Sequence, residues 1–182
     1  MNILIVNQPL NNRGDESAHR ALVRSILKYI PEAKVRVLWK GANQATIDQF
    51  EVKSPRTEYV NYYRKHSLKA DVFIQYGLKY PILWHIHPYA AEYLNYYRWA
   101  DAVVCAPGGI CMGGFMNWGH EYALLTAMKL HKPIFYYGRS IGPFWDKPKE
   151  KKLFKKQAID ILNYANYVSL RESESMRIAH DL

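Results

Sequence analysis

The amino-acid sequence predicts an α/β domain built on a doubly wound, Rossmann-like parallel sheet. Three observations carry the prediction. Short, continuous apolar runs such as Ile3 to Val6 and Ala102 to Ala106 read as strands buried on both faces. Segments with apolar residues at helical spacing alternate with those runs along the chain. Each run ends in a polar or glycine-containing segment, and ligands in open α/β sheets sit outside the carboxyl ends of the strands. The 182 residues suffice for a sizeable core, so residues 1–182 read as one domain.

The first element is the strand Ile3 to Val6, followed by a polar loop with Pro9, Asn11, Asn12, Arg13 and Gly14. Ala18, Ala21, Leu22, Ser25, Ile26 and Ile30 then recur at helical spacing, and Pro31 ends that helix. It begins near Gly14 or Asp15, so its free N–H groups point at the crevice and favour an anion there. Val35 to Trp39 is the second strand, and residues 41–57 have no clear period. Glu58 to Lys69 reads as a helix with Tyr59, Tyr62, Tyr63 and His66 at helical spacings, and Asp71 to Tyr76 as a short strand. Pro88 opens a further helix that carries Tyr89, Tyr93, Tyr96 and Tyr97. The phrases Glu58-Tyr-Val-Asn-Tyr-Tyr-Arg64 and Glu92-Tyr-Leu-Asn-Tyr-Tyr-Arg98 nearly repeat, but nothing continues the period, which excludes a solenoid.

The strand Ala102 to Ala106 runs into a glycine-rich loop, Pro107 to Gly114, and Glu121 to Leu130 reads as a helix. Ile134 to Tyr137 is the next strand, with Gly138 to Pro143 as the segment that leaves it. A basic helix over Lys149 to Tyr164 follows, then a strand over Tyr167 to Leu170, the loop Arg171 to Ser173 and a last helix from Glu174 to Leu182. The chain ends there with no polar tail, so a further domain beyond residue 182 is expected.

Hydrophobic residues make up 49% and charged residues 23%, the balance of a folded globular protein. No apolar run approaches the length of a transmembrane helix. The N-terminus enters a strand with no basic region and no cleavable apolar segment, which points to the cytoplasm. Cys105 and Cys111 fit neither C-x-x-C nor zinc spacing and are expected as reduced thiols. His85 and His87 alternate on one face, but no Asp, Glu or Cys joins them at ligand spacing, so no metal and no other cofactor is expected. The net charge is +9, and six lysines fall between Lys147 and Lys156. The plain reading of that cluster is a solvated helix face; peripheral contact with an anionic membrane is the functional one, and nucleic acid is not expected.

Four segments follow four strands and can converge on one crevice: Asn11 to Glu16, Pro107 to Gly114, Arg139 to Pro143 and Arg171 to Ser173. Asn11, Asn12, Gly14, Gly108, Gly109, Gly142 and Pro143 shape backbone around a ligand. Ser140 and Ser173 offer hydroxyls, and Arg13, Arg139 and Arg171 offer planar donors for carboxylate or phosphate. Asp15 and Glu16 offer bases, against the plainer role of complementing a helix dipole. Arg171 and Glu172 read either as ligand contacts or as a local ion pair. His120 and Glu121, at a helix start, read as catalytic or as capping. The single glycine of Asn12-Arg-Gly-Asp15 excludes the G-x-G-x-x-G dinucleotide fingerprint.

In their order these motifs resemble the polysaccharide pyruvyl transferases. Asn11-Asn-Arg-Gly-Asp-Glu16 is similar to that family's N-x-G-D-E segment, and Pro107-Gly-Gly-Ile110 to its glycine pair. Arg139-Ser-Ile-Gly-Pro-Phe144 resembles its Q-S-I-G-P-F motif, with Arg where Gln is usual. Ser169-Leu-Arg-Glu-Ser173 resembles its S-x-R-E-x-x-S segment, with Ser173 or Ser175 in the serine role. The resemblance implies the N-terminal half of a GT-B-type enzyme with two Rossmann-like halves and a cleft between them. It implies transfer of the enolpyruvyl carbons of phosphoenolpyruvate onto two hydroxyls of a sugar, in a polysaccharide or lipid-linked glycan precursor at the cytoplasmic membrane. In such a reaction Asp15 is the expected base, with Arg171 holding the anionic donor. Two other readings of the same residues are a GT-B glycosyltransferase using a nucleotide sugar and a non-catalytic module that binds a glycan or a partner.

Overall fold

The computed structural model describes residues 1–9, 12–40, 42–62, 88–113, 115–145 and 147–182. The chain opens with β1 (Asn2–Val6), whose Ile3 to Val6 are all buried. Helix α1 (Arg13–Tyr29) follows; the Asn12 side chain caps it by accepting a hydrogen bond from the Asp15 N–H at 3.0 Å. Then come β2 (Lys34–Lys40), α2 (Gln44–Phe50), β3 (Thr57–Tyr62), α3 (Pro88–Trp99) and β4 (Ala102–Cys105). The second half holds β5 (Gly108–Met112), α4 (Trp118–Lys129), β6 (Ile134–Ile141), α5 (Lys149–Tyr164), β7 (Tyr167–Leu170) and α6 (Ser173–His180). Asn43 and Asn117 cap α2 and α4 in the way Asn12 caps α1.

Among the described residues all the strand pairings are parallel, and the seven strands form one sheet. β1 lies between β2 and β4, and β3 lies outside β2. β4 and β5 run end to end along one edge of β6: Ile134 to Tyr136 pair with β4, and Arg139 and Ile141 pair with β5. β7 takes the other edge of β6. Counting β4 and β5 as one line, the order is 3-2-1-4-5-6, that of a doubly wound dinucleotide-binding sheet, with its reversal between β1 and β4. Alternation along β1 sorts the core. Ile3 and Ile5 face α1 and α2, with Val35, Val37, Trp39 and Phe50. Leu4 and Val6 face α3, α4 and α5, with Tyr97, Leu124, Tyr136 and Ile161. Helices therefore cover both faces.

Three local expectations are corrected. The segment read as a helix from Glu58 begins as β3, because Thr57 to Tyr62 pair residue by residue with β2; residues 63–69 lie outside the described residues. The glycine-rich loop after β4 contains β5, which continues the sheet along β6. The strand from Ile134 does not end at Tyr137 but bends at Gly138 and runs on to Ile141. Gly138 has φ 56°, a backbone region open to glycine at little cost, and the Cβ of Pro107 lies 3.3 Å from where a Cβ on Gly138 would be. The expected strand Asp71 to Tyr76 and the pair His85 and His87 fall outside the described residues. Among the described residues no helix is long and apolar enough to cross a membrane.

Candidate functional site

Because the strands are parallel, β1, β4, β5, β6 and β7 all end at one edge of the sheet. Arg139 ties the middle of that edge together. It is 1% exposed, and its Nη1 donates to the main-chain carbonyls of Asn7 at 3.0 Å and Ala106 at 2.5 Å, the residues that leave β1 and β4. Its Nη2 lies 3.1 Å from the Cys111 Sγ. Asn7 has a φ of 60° and donates from its side chain to the carbonyl of His120 at 3.0 Å. No motif marks Asn7 in the sequence; an Asn directly after a buried strand is the one local signal of a left-handed turn.

The loops on either side are in contact with this tie. A Cβ on Gly108 would lie 2.8 Å from the Pro9 Cγ, so the first loop packs on the glycine that opens β5. A Cβ on Gly109 meets nothing within 4 Å, so packing does not demand glycine there. Gly113, at φ 107°, lies so close to Gly142 that a Cβ would come within 2.5 Å of its carbonyl oxygen. The Gly142 N–H in turn donates to the Met112 carbonyl at 3.0 Å. Pro143 follows, exposed.

Glu172 closes the far side. Its carboxylate accepts from Ser140 Oγ at 2.9 Å and from Ser175 Oγ, and Ser175 also holds the Ile141 N–H and carbonyl at 2.9 and 3.0 Å. Of the two serines left open by the motif, Ser175 is buried in this network and Ser173 is exposed at the start of α6. Arg171 is exposed, with its backbone N–H donating to the Arg139 carbonyl at 3.2 Å.

On the other side stands the start of α1. Arg13 is exposed and pairs with Glu16 at 3.4 Å, and Arg20 reaches the same carboxylate at 3.3 Å. The Gln49 amide, helped by Arg20 and Arg13 and opposed by desolvation, holds Glu16 below the usual carboxylate range. The cations thus gather on Glu16, whereas half-buried Asp15 occupies the third position of the helix, past the Asn12 cap. Gly14 packs 3.0 Å, measured from its would-be Cβ, from the Asn12 Oδ1. Asn11 lies outside the described residues.

Beneath the edge lies a buried layer of uncharged groups. Burial, with Arg139 nearby, holds the His120 imidazole well below its usual pKa. Burial also pushes the Cys105 thiol up to about 11 and the Tyr136 phenol well above its usual value. The His120 Nε2 lies 3.4 Å from the Tyr136 hydroxyl and 4.0 Å from the Cys105 Sγ. Among the described residues no carboxylate pairs with Arg139, whose guanidinium lies buried at the carboxyl edge of the sheet. Among the described residues no group of three His, Cys, Asp or Glu is placed to hold a metal. A surface cavity of about 260 Å³ lies at the opposite edge, beside Arg36, Arg56, Glu58 and Trp99. Its Arg36 is already engaged by Glu58 at 2.6 Å and by the Trp99 ring at 4.2 Å.

A family model described as polysaccharide pyruvyl transferase matches residues 12–182. The chain belongs to the polysaccharide pyruvyl transferase family. That match takes in the four segments gathered at the carboxyl edge, from the Asn12 cap to Ser175. Searches of curated proteins and of solved structures found no match. Membership in the pyruvyl transferase family implies a pyruvyl donor and a sugar or glycan acceptor.

Proposed function

We propose that the protein moves the pyruvyl carbons of phosphoenolpyruvate onto a sugar of a polysaccharide or lipid-linked glycan precursor. One sugar hydroxyl adds to C2 of the enol as C3 takes a proton. A second hydroxyl then replaces phosphate at C2, leaving a cyclic ketal with its methyl and carboxylate groups. The observation that carries the reading is the buried Arg139, paired with no carboxylate among the described residues, under an edge formed from family-matched segments. A donor that bears both a carboxylate and a phosphate, and a phosphate leaving group, both gain from positive potential there.

In this reading Asp15 takes the proton from the attacking hydroxyl. Arg171 and Arg13, exposed on opposite sides of the edge, hold donor carboxylate and phosphate. The N–H groups of Asn12 and Gly14, with Asn11, Glu16, Gly108, Gly109, Gly142, Pro143 and Ser173, line the donor and acceptor. Arg139, Ser140 and Glu172 act on substrate through the network they form, since the Arg139 Nη atoms, the Ser140 hydroxyl and the Glu172 carboxylate bond to protein partners.

Asp15→Asn tests the base. Asn12 already caps α1, so the substitution at the third position leaves the cap in place. Phosphate release from phosphoenolpyruvate with an acceptor glycan should fall about 10²–10⁴-fold while the melting temperature holds. Turnover near the wild-type level would remove Asp15 from the chemistry. Release of a nucleoside diphosphate from a nucleotide sugar, with phosphoenolpyruvate inert, would replace the whole reading by glycosyl transfer.

A further inference from the structure

Helix α5 buries Phe154, Gln157, Ala158 and Ile161 and turns Lys149, Lys152 and Lys156 to solvent on the opposite side. Between Lys147 and Lys156 six lysines stand against one carboxylate, Glu150. Lys156 reaches Asp160 at 3.9 Å, a turn further along the same helix. The first turns of α5 lie at the carboxyl edge, because α5 follows β6 out of the sheet. Trp145 precedes them. It is 43% exposed, and the Lys151 ammonium stands 4.5 Å from its ring centroid. Phe115, 77% exposed, leaves the same edge two residues after Gly113, which is pressed against Gly142. Trp118, packed on Phe154 with ring centroids 5.1 Å apart, fixes the start of α4 beside the start of α5.

We propose that this rim, Phe115 and Trp145 beside the lysine face of α5, docks on the anionic headgroups of a lipid bilayer. Charge complementarity supplies the attraction: lysines on one exposed face meet a negative surface. The two exposed aromatic rings select a bilayer over a soluble polyanion. An exposed tryptophan suits the depth where apolar chains meet headgroups, and Phe115 enters the same layer. Docked in this way, the protein brings the edge that carries the crevice toward the membrane.

Vesicle sedimentation of the full chain tests the surface without reference to catalysis. Partition onto phosphatidylcholine–phosphatidylglycerol vesicles at low salt should exceed that onto phosphatidylcholine alone at least about 10-fold and collapse at high salt. Lys149→Glu/Lys152→Glu/Lys156→Glu should weaken it about 100-fold. Phe115→Ser/Trp145→Ser, with every charge intact, should weaken it about 10-fold. Circular dichroism establishes that each variant is folded. Equal partition onto the two vesicle types overturns the proposal. So does an aromatic double variant that keeps wild-type partition, which would leave a general polyanion surface that a single-stranded oligonucleotide should then occupy. Phosphate release with a water-soluble acceptor reads the transferase proposal separately, so either can fail alone.

Discussion

A single buried guanidinium decides the geometry at the residue scale. Arg139 lies 132 residues from Asn7 in sequence and joins its carbonyl to that of Ala106, so one side chain clamps the ends of β1 and β4 just past the last rung of their ladder, the Ala106 N–H to the Val6 carbonyl at 3.0 Å. Removing it leaves the Asn7 and Ala106 carbonyls without that donor and opens a cavity beneath the carboxyl edge. Arg139→Ala should therefore cost about 3 kcal/mol of stability, read as a lower denaturation midpoint at unchanged slope. Arg139→Gln retains an amide donor and should cost less. Equal midpoints for wild type and Arg139→Ala would show that the tie carries no weight. Glu121 is the opposite case, a carboxyl 0% exposed with neither oxygen hydrogen-bonded to a described residue. Burial pushes its pKa well above 4.5, so the folded protein holds a proton that the unfolded chain releases. Stability is then lost as the pH rises past 4.5. Glu121→Gln removes that loss, and its melting temperature should gain on the wild type from pH 5 to pH 8. A constant difference across that range would mean that Glu121 is not the group responsible.

At the scale of the element, two nearly identical segments set the limit of what the sequence discloses. Residues 58–64 and 92–98 differ only at Val60 and Leu94, yet Thr57–Tyr62 is a strand and Pro88–Trp99 a helix. The first has the open edge of β2 to pair with, from Val35 to Lys40. The second follows Pro88, which suits a first helical turn, and buries Tyr93, Leu94 and Tyr97 against the sheet. Local composition could not separate them, because the deciding partner is remote. The apolar runs of β1 and β4 were legible because burial on both faces is written into consecutive residues. The positions of the four motif segments followed from strand order. Their internal bonds did not, since Ser140–Glu172 and Ile141–Ser175 join residues 32 and 34 apart. Glycine at 113 shows the same dependence on a remote neighbour. Gly113→Ala would strain a φ of 107° and drive a methyl into the Gly142 carbonyl, at a cost of about 3 kcal/mol. Thermal melting reads this directly, and Gly109→Ala, with open space around it, serves as the near-neutral control.

The whole molecule sums these titrations. His19 is buried between the Gln8 amide oxygen at 2.9 Å and the Tyr59 hydroxyl at 3.1 Å, and burial, with Arg20 beside it, lowers its pKa to about 4. His120 is lowered in the same sense. For both, the unfolded chain takes up a proton first, so stability falls as the pH drops below 6.5; for His19 the loss levels off near pH 4. Its share approaches about 3 kcal/mol. Denaturant unfolding of His19→Gln between pH 4 and pH 7 should show a flatter pH dependence than the wild type; parallel curves would assign the acid loss elsewhere. The bend in β6 at Gly138 divides the sheet differently. Below it, Ile134 to Tyr136 are locked to β4 and the central core; above it, Arg139 and Ile141 belong to β5 and the crevice. One strand by hydrogen bonding therefore changes partner along one edge at Gly138, while β7 spans the bend on the other, from Phe135 to Arg139. Amide hydrogen exchange should register that division as two sets of protection factors along β6, and a ligand closing on the crevice should slow the upper set while leaving the lower one as it was.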